Sequence, residues 1–255
     1  MPCVCVLALL FLASDGPTYT ADSIVNAADN QPGGLAPNAI GTIYGTGLSF
    51  TTRAISADDI KEGTLPTVLP GTGVRVSVGG ILANIYYVSP GQINFLVPAM
   101  LTAGPSYVQV FLDARAGPQI SVPMAPVSPA LFQLDAHNAV AARLDGTVVT
   151  PDNPAHPGDI VILFANALGQ TVPPAVYSMI APAAAALKDM LDFQLVLDGT
   201  PVDPALVFYA GAAPGFAGLY QINCQLPAST GPNPEIRISA EGQLSKPGVM
   251  LPVQP

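Results

Sequence analysis

Tyr86-Tyr87-Val88-Ser89-Pro90-Gly91-Gln92-Ile93-Asn94-Phe95-Leu96-Val97-Pro98 reads as an aromatic strand, a Pro-Gly turn and a second strand that a proline ends. Ile93, Phe95 and Val97 alternate with Gln92, Asn94 and Leu96, a period of two that puts one set on a core face and the other outward. Pro98 cannot donate to a ladder and closes the strand. The same order returns later as Phe208-Tyr209-Ala210, then Pro214-Gly215, then Gln221-Ile222-Asn223-Cys224-Gln225-Leu226-Pro227. One ring of each aromatic pair is expected to face the core and the other to face outward.

The match extends upstream. Val74-Arg-Val-Ser-Val78 runs into Gly79-Gly80, and Phe193-Gln-Leu-Val-Leu197 runs into Asp198-Gly199. Pro37-Asn-Ala-Ile-Gly-Thr-Ile-Tyr44 answers Pro157-Gly-Asp-Ile-Val-Ile-Leu-Phe164, and Gly47-Leu48 resembles Leu168-Gly169. Blocks in matching order at a spacing of about a hundred residues or more indicate duplicated domains, not short solenoid units. The copies are unequal: Phe95 becomes Cys224, and the second copy inserts residues around Ala212–Leu219.

Many short strands with frequent turns predict an all-β chain of two tandem immunoglobulin-like β-sandwiches with one or two short helices. Gly (24) and Pro (28) are interleaved with Val/Ile/Leu/Tyr runs, which disfavours long helices and disorder alike. Asp145-Gly146 marks a hairpin between Ala141–Leu144 and Thr147–Val149. Ser56-Ala-Asp-Asp59 resembles a capping box opening a turn or two that Gly63 ends, and Ala183–Leu191 reads as a short helix. The join is expected near Phe132–His137, dividing the chain into residues 19–133 and 134–255. It has no Gly/Ser-rich spacer, so the domains are expected to pack closely.

The start, Met1–Ala13, is an apolar run too short to span a bilayer. Residues 1–18 are therefore expected to be a signal peptide or an apolar N-terminal segment, with cleavage near Ala13 and Ser14. If that segment is removed, Cys224 is the one remaining cysteine.

The chain from about Tyr19 onward resembles a family of bacterial C-terminal regions of unknown function, first catalogued in Solibacter proteins. The resemblance rests on Ile24-Val-Asn-Ala-Ala28, Leu35-Ala-Pro-Asn38, Ile43-Tyr-Gly-Thr46, Tyr86–Phe95, Pro154-Ala-His-Pro-Gly-Asp159 and Ala213–Asn223. It implies paired immunoglobulin-like domains of the transcription-factor/plexin type on an exported protein. It carries over no catalytic residues. Here the resembling stretch is nearly the entire chain.

The residues offer little chemistry. His137 and His156 are the two histidines, and neither has an evident partner in sequence. With 8 Lys+Arg against 17 Asp+Glu and no basic cluster, nucleic acid is not an expected partner. Asp58, Asp59 and Glu62 cluster, as do Asp145, Asp152 and Asp159, but their spacing is not that of a calcium loop, and Asp-rich turns serve as caps. No metal or other cofactor and no catalytic residue is expected.

The expected role is a non-enzymatic extracellular or cell-surface module: adhesion element, scaffold, or subunit of a surface assembly or filament. A carbohydrate-binding module is the alternative. A hydrolase would need two carboxylates within about 5–10 Å across a cleft. Partners are then proteins, including a second copy of the chain, or an extracellular glycan, with no stable membrane span. The interaction face read from sequence is Tyr86, Tyr87, Gln92 and Asn94 with Phe208, Tyr209, Gln221 and Asn223. Those Gln and Asn amides have a competing use, which is finishing turn or edge hydrogen bonds.

Overall fold

The structure, a computed structural model, describes residues 16–255; the apolar run Met1–Ala13 lies outside them. The first half contains β1 (Ile24–Asn26), β2 (Ile40–Tyr44), β3 (Arg53–Ala54), β4 (Val74–Val78), β5 (Ile81–Leu82), β6 (Asn84–Val88), β7 (Gln92–Leu96), β8 (Gly104–Leu112), β9 (Arg115–Ala116) and β10 (Ile120–Met124). They form two antiparallel sheets, β1-β2-β7-β6-β3 and β10-β8-β4-β5, with β9 added to β8. Read in chain order, the main strands take the A-B-E-D and C-F-G places of an immunoglobulin-type sandwich.

The second half adds β11 (Ala130–Leu131), β12 (Ala141–Arg143), β13 (Val148–Val149), β14 (Ile160–Asn166), β15 (Thr171–Val172), β16 (Ala185–Leu187), β17 (Gln194–Leu197), β18 (Thr200–Pro201), β19 (Val207–Ala212), β20 (Leu219–Gln225), β21 (Ile236–Ala240) and β22 (Gln243–Leu244). The central run β12-β14-β20-β19 repeats β1-β2-β7-β6, and β18-β17-β21-β22 repeats β5-β4-β8-β9. The fold is thus a tandem of immunoglobulin-like sandwiches. β11 precedes the join read from sequence yet pairs with β14, so Ala130 and Leu131 extend the second half's sheet.

Each pair of sheets encloses its own core. Ile43, Val76, Ile85, Ile93, Phe95 and Val110 meet in the first. Leu163, Leu195, Ile222, Cys224, Ile236 and Ile238 meet in the second. The alternation is realised from Gln92 to Phe95, since Ile93 and Phe95 are fully buried while Gln92 and Asn94 are half-buried; Leu96, read as outward, is also fully buried, because Leu65 and Ala217 cover it. The turns match too: Gly79 and Gly80 have φ of 59° and 82°, Asp198 and Gly199 of 47° and 75°. Those left-handed values suit two-residue hairpins whose twist follows the strands. Asp145-Gly146 turns between β12 and β13 as expected.

The helix expected over Ala183–Leu191 is not formed. Ala185–Leu187 is instead strand β16, paired with β15 through Thr171↔Leu187 and with β19 through Ala185↔Ala212. Ala185 and Leu187 are buried and Ala186 is exposed, so a period of two has replaced the helical one. Helix propensity distinguishes these residues by only a few tenths of a kcal/mol each, which ladder pairing and burial of Leu187 outweigh. Only Met190–Asp192 forms a 3-10 turn. The Ser56 capping box exists, but it closes a single 3-10 turn, Ala57–Asp59.

The halves meet along a seam of polar and apolar contacts. Asn166, at the end of β14, donates from Nδ2 to Asn26 Oδ1 and to the Ile40 carbonyl, both at 2.8 Å, while its Oδ1 accepts the Ile40 N–H at 2.9 Å. Asn26 donates in turn to the Ser128 carbonyl at 3.0 Å, and both asparagines are fully buried. Leu96 packs on Leu65 and Ala217 beside Ile180. Residues 176–181 cross the first half, with Leu65 N–H donating to Ser178 O at 2.7 Å and Ile180 N–H to Gly63 O at 2.9 Å. Close packing of the halves, expected from the missing spacer, is realised by this polar and apolar seam.

Candidate functional site

The residues singled out from sequence lie on the outer faces of two equivalent sheets. In the first half, β7 is flanked by β2 and β6, with Tyr44 opposite Gln92 and with Thr42 and Tyr87 both opposite Asn94. In the second, β20 is flanked by β14 and β19, with Phe164 opposite Gln221 and with Ile162 and Tyr209 both opposite Asn223. Each face therefore holds an aromatic ring on either side of a Gln–Asn pair. Gln92 Nε2 donates to Asn94 Oδ1 at 2.8 Å, and Gln221 Nε2 donates to Asn223 Oδ1 at 2.7 Å.

Tyr44 and Phe164 belong to this arrangement and were not singled out from sequence. A signal existed, because they end the matched strands 37–44 and 157–164. Placing them beside Gln92 and Gln221 required the register across two strands.

The expectation that one ring of each aromatic pair enters the core does not hold. The β6–β7 ladder slips between Ile85 and Tyr87, and the β19–β20 ladder slips between Val207 and Tyr209. A bulge inserts one extra residue and resets the alternation, so Tyr86 and Tyr87 both stay out of the core, as do Phe208 and Tyr209. The two bulges serve different ends. Tyr86 lies in the seam, where its hydroxyl donates to Ala217 O at 2.7 Å and burial holds the phenol pKa well above its usual value. Phe208, its counterpart, is 55% exposed. Tyr87 is half-buried, and Tyr209 is tied to the adjoining strand, accepting from Ala185 N–H at 3.0 Å and donating to Ala212 O at 2.6 Å.

Thr42 Oγ1 also donates to Asn94 Oδ1 at 3.2 Å, whereas Ile162 leaves Asn223 without that partner. The first face is thus richer in hydroxyls (Thr42, Tyr44, Tyr87), and the second is more apolar (Ile162, Phe164). Tyr44 already spends its hydroxyl on Asn30 Oδ1 at 2.8 Å.

Carboxylates elsewhere hold turns. Asp59 accepts from Ser56 N–H at 2.9 Å and lies 2.6 Å from Arg53, and these bonds, the Ser56 N–H first, hold its carboxyl below the usual range. Asp145 is held low by the Thr147 N–H, and Asp135 by Asn138. His156 Nδ1 is 3.7 Å from Asp159 in an exposed turn. Burial pushes the Cys224 thiol up to about 12, so it stays protonated near neutral pH and is a poor nucleophile. Among the described residues no three His, Cys, Asp or Glu side chains converge as a metal site. No helix among them is long and apolar enough to cross a membrane.

No family model matches the chain, and no curated protein does. Solved structures with some likeness include a surface glycan-binding protein of Bacteroides ovatus in complex with a mixed-linkage heptasaccharide, at 10% identity, 95% of this chain, 47% of that one and a TM-score of 0.38. The tandem Ig repeats of Dlar align at 12% identity, covering 94% of this chain and 99% of the other, with a TM-score of 0.25. The Escherichia coli adhesin FdeC aligns at 12%, covering 94% and 66%, with a TM-score of 0.27. The chain spans less than half the length of the Bacteroides protein. With likenesses this weak, the fold rests on the strand order described above.

Proposed function

We propose that the chain is a non-catalytic structural and interaction module acting outside the cell, as an adhesion element, a scaffold or a subunit of a surface assembly. The observation that carries this reading is the seam. Asn26, Asn166, Tyr86 and residues 176–181 join the two halves into a stiff unit that holds two like sheet faces at a fixed relation. The outward aromatics with their Gln–Asn pairs are the interaction face in this reading: Tyr87, Gln92 and Asn94 in the first half, Phe208, Tyr209, Gln221 and Asn223 in the second. Commitment of Asp59, Asp135 and Asp145 to turns supports a role without catalysis. The same reading takes residues 19–133 and 134–255 as the two domains, the N-terminal run as an export segment, and the quoted motifs as membership of the Solibacter-type family.

Fractionating cells that express the full chain tests the proposal, together with light scattering of the purified protein. Retention at the surface or concentration-dependent assembly, weakened by Tyr87→Ala with Tyr209→Ala, is the expected result. Complete release as a monomer at every concentration would sink it.

A second reading, a carbohydrate-binding module, is favoured by the ring–amide–ring row, since ring faces and planar amides suit sugar C–H faces and hydroxyls. A glycan array separates the readings: binding abolished by Tyr44→Ala and Tyr87→Ala supports the second, and an array without signal removes it.

A further inference from the structure

A cleft of about 480 Å³ opens where the two halves meet, away from both sheet faces. Asn38 and Thr102 reach it from the first half, and Gln170, Lys188, Asp189 and Glu241 reach it from the second. Leu101 and Pro126 give it apolar wall. Gly169 also lines it, and its carbonyl accepts from the hydroxyl of the buried Tyr220 at 2.5 Å. The space exists only because the seam holds the halves together, and pockets at domain interfaces are favoured places for small ligands.

The charges in this cleft are unspent. Lys188, Asp189 and Glu241 take part in no ion pair among the described residues, and all three side chains are exposed. Lys188 has only a long contact to Gln170 Oε1 at 3.5 Å. Two carboxylates against one ammonium leave the cleft net negative, within a chain of formal charge −9. A ligand carrying a protonated amine is favoured there, and an anion is disfavoured. Asn38, Thr102 and Gln170 add neutral donors and acceptors, the partners that hydroxyl groups need. No aromatic ring lines the space, so recognition would run through hydrogen bonds and charge instead of stacking.

We infer that this cleft is a binding site for a small amino sugar, its ammonium held by Asp189 and Glu241 and its hydroxyls by Asn38, Thr102, Gln170 and Lys188. A volume of about 480 Å³ suits one or two sugar rings. The site stands apart from the sheet faces, so neither proposal falls with the other.

Calorimetric titration of the full chain with the β-linked disaccharide of glucosamine tests the inference, with its N-acetylated form, cellobiose and L-lysine as comparisons. Saturable binding of the aminated disaccharide is expected, with cellobiose and the acetylated form weaker by about tenfold or more, the worth of a charge-assisted hydrogen bond. Glu241→Gln and Asp189→Asn should each weaken it by about tenfold at an unchanged melting temperature, while Asp152→Asn, which removes an exposed carboxylate outside the cleft, leaves it alone. The inference is overturned if the aminated sugar does not saturate, if the acetylated form binds as well, or if both acidic variants keep full affinity. L-lysine binding as tightly as the sugar would exclude sugar recognition. Release of reducing ends would make the cleft catalytic and overturn it as a binding site.

Discussion

Gly41 and Phe95 lie opposite each other on β2 and β7, and the ring of Phe95 occupies the space a side chain at Gly41 would need: a Cβ there would sit 2.6 Å from the ring. At the matching place in the second half, Val161 lies opposite Cys224. Large and small have been exchanged across the same pair of strands, so each core stays filled although Phe95 became Cys224.

That exchange predicts coupling. Gly41→Val alone should cost about 1–3 kcal/mol through overpacking. Phe95→Cys alone should cost about 3 kcal/mol or more through the cavity it leaves. The double variant imports the second half's solution, and its loss should fall short of the sum by about 0.5–3 kcal/mol. Urea unfolding of the four proteins measures this, and simple additivity would refute it.

Asn166→Ala should be among the most costly single changes. It strips the Ile40 N–H of its acceptor and takes one donor each from the Ile40 carbonyl and Asn26 Oδ1, which keep the Ala27 and Ala28 N–H groups. The unsatisfied N–H costs about 1–3 kcal/mol, and the lost side-chain bonds add to it. Replacement of Thr46, the counterpart of Asn166 and exposed, should cost less than about 0.5 kcal/mol. Equal losses in denaturant titrations would contradict the role given to the seam.

Gly218 is held at φ 70°, and a Cβ there would meet Leu96 at 2.6 Å and the Asn38 carbonyl at 2.9 Å. Gly218→Ala should therefore cost about 1–3 kcal/mol in backbone strain and lift the insertion off the first half. Tyr86→Phe removes only the bond to Ala217 O and should cost about 1 kcal/mol. Faster amide exchange around Ala217 in both variants, larger in the first, is the expected readout.

Acid should unlock the Ser56 turn. The Asp59 carboxyl is held below its ordinary value of 3.8, so its contribution is complete above that pH and is lost as pH falls through the lower, folded value. The gap in melting temperature between wild type and Asp59→Asn should be constant near neutrality and close below about pH 4. A gap that persists at pH 2 would disprove the linkage.

Cys224 is fully buried and its thiol is pushed up to about 12. Iodoacetamide should leave it unmodified in the native chain at pH 8 and alkylate it once urea opens the second core. Mass spectrometry before and after denaturation gives the answer.

Much of the fold was legible because it rests on local chemistry. Alternation through Gln92–Phe95, the left-handed turns at Gly79-Gly80 and Asp198-Gly199, and the proline stops each act within a few residues. The site was half legible. Gln92, Asn94, Gln221 and Asn223 could be placed outward by period, and their mutual hydrogen bonds are contacts two residues apart. Tyr44 and Phe164 could not be joined to them, since pairing across strands separated by about 50 residues leaves no mark within either strand.

The sequence by itself determined that this protein is a duplicated all-β chain, for the repeat of strand, turn and proline is written twice in one dimension. Tertiary structure alone decided three things: that Ala185–Leu187 is a strand, that both aromatic pairs lie outside the core, and that Tyr86 serves the seam while Phe208 faces solvent. The physical reason is the same in each case. A weak local preference yields to the partner that the folded chain brings alongside, and the register of a bulged ladder or the reach of an insertion is a relation between distant segments.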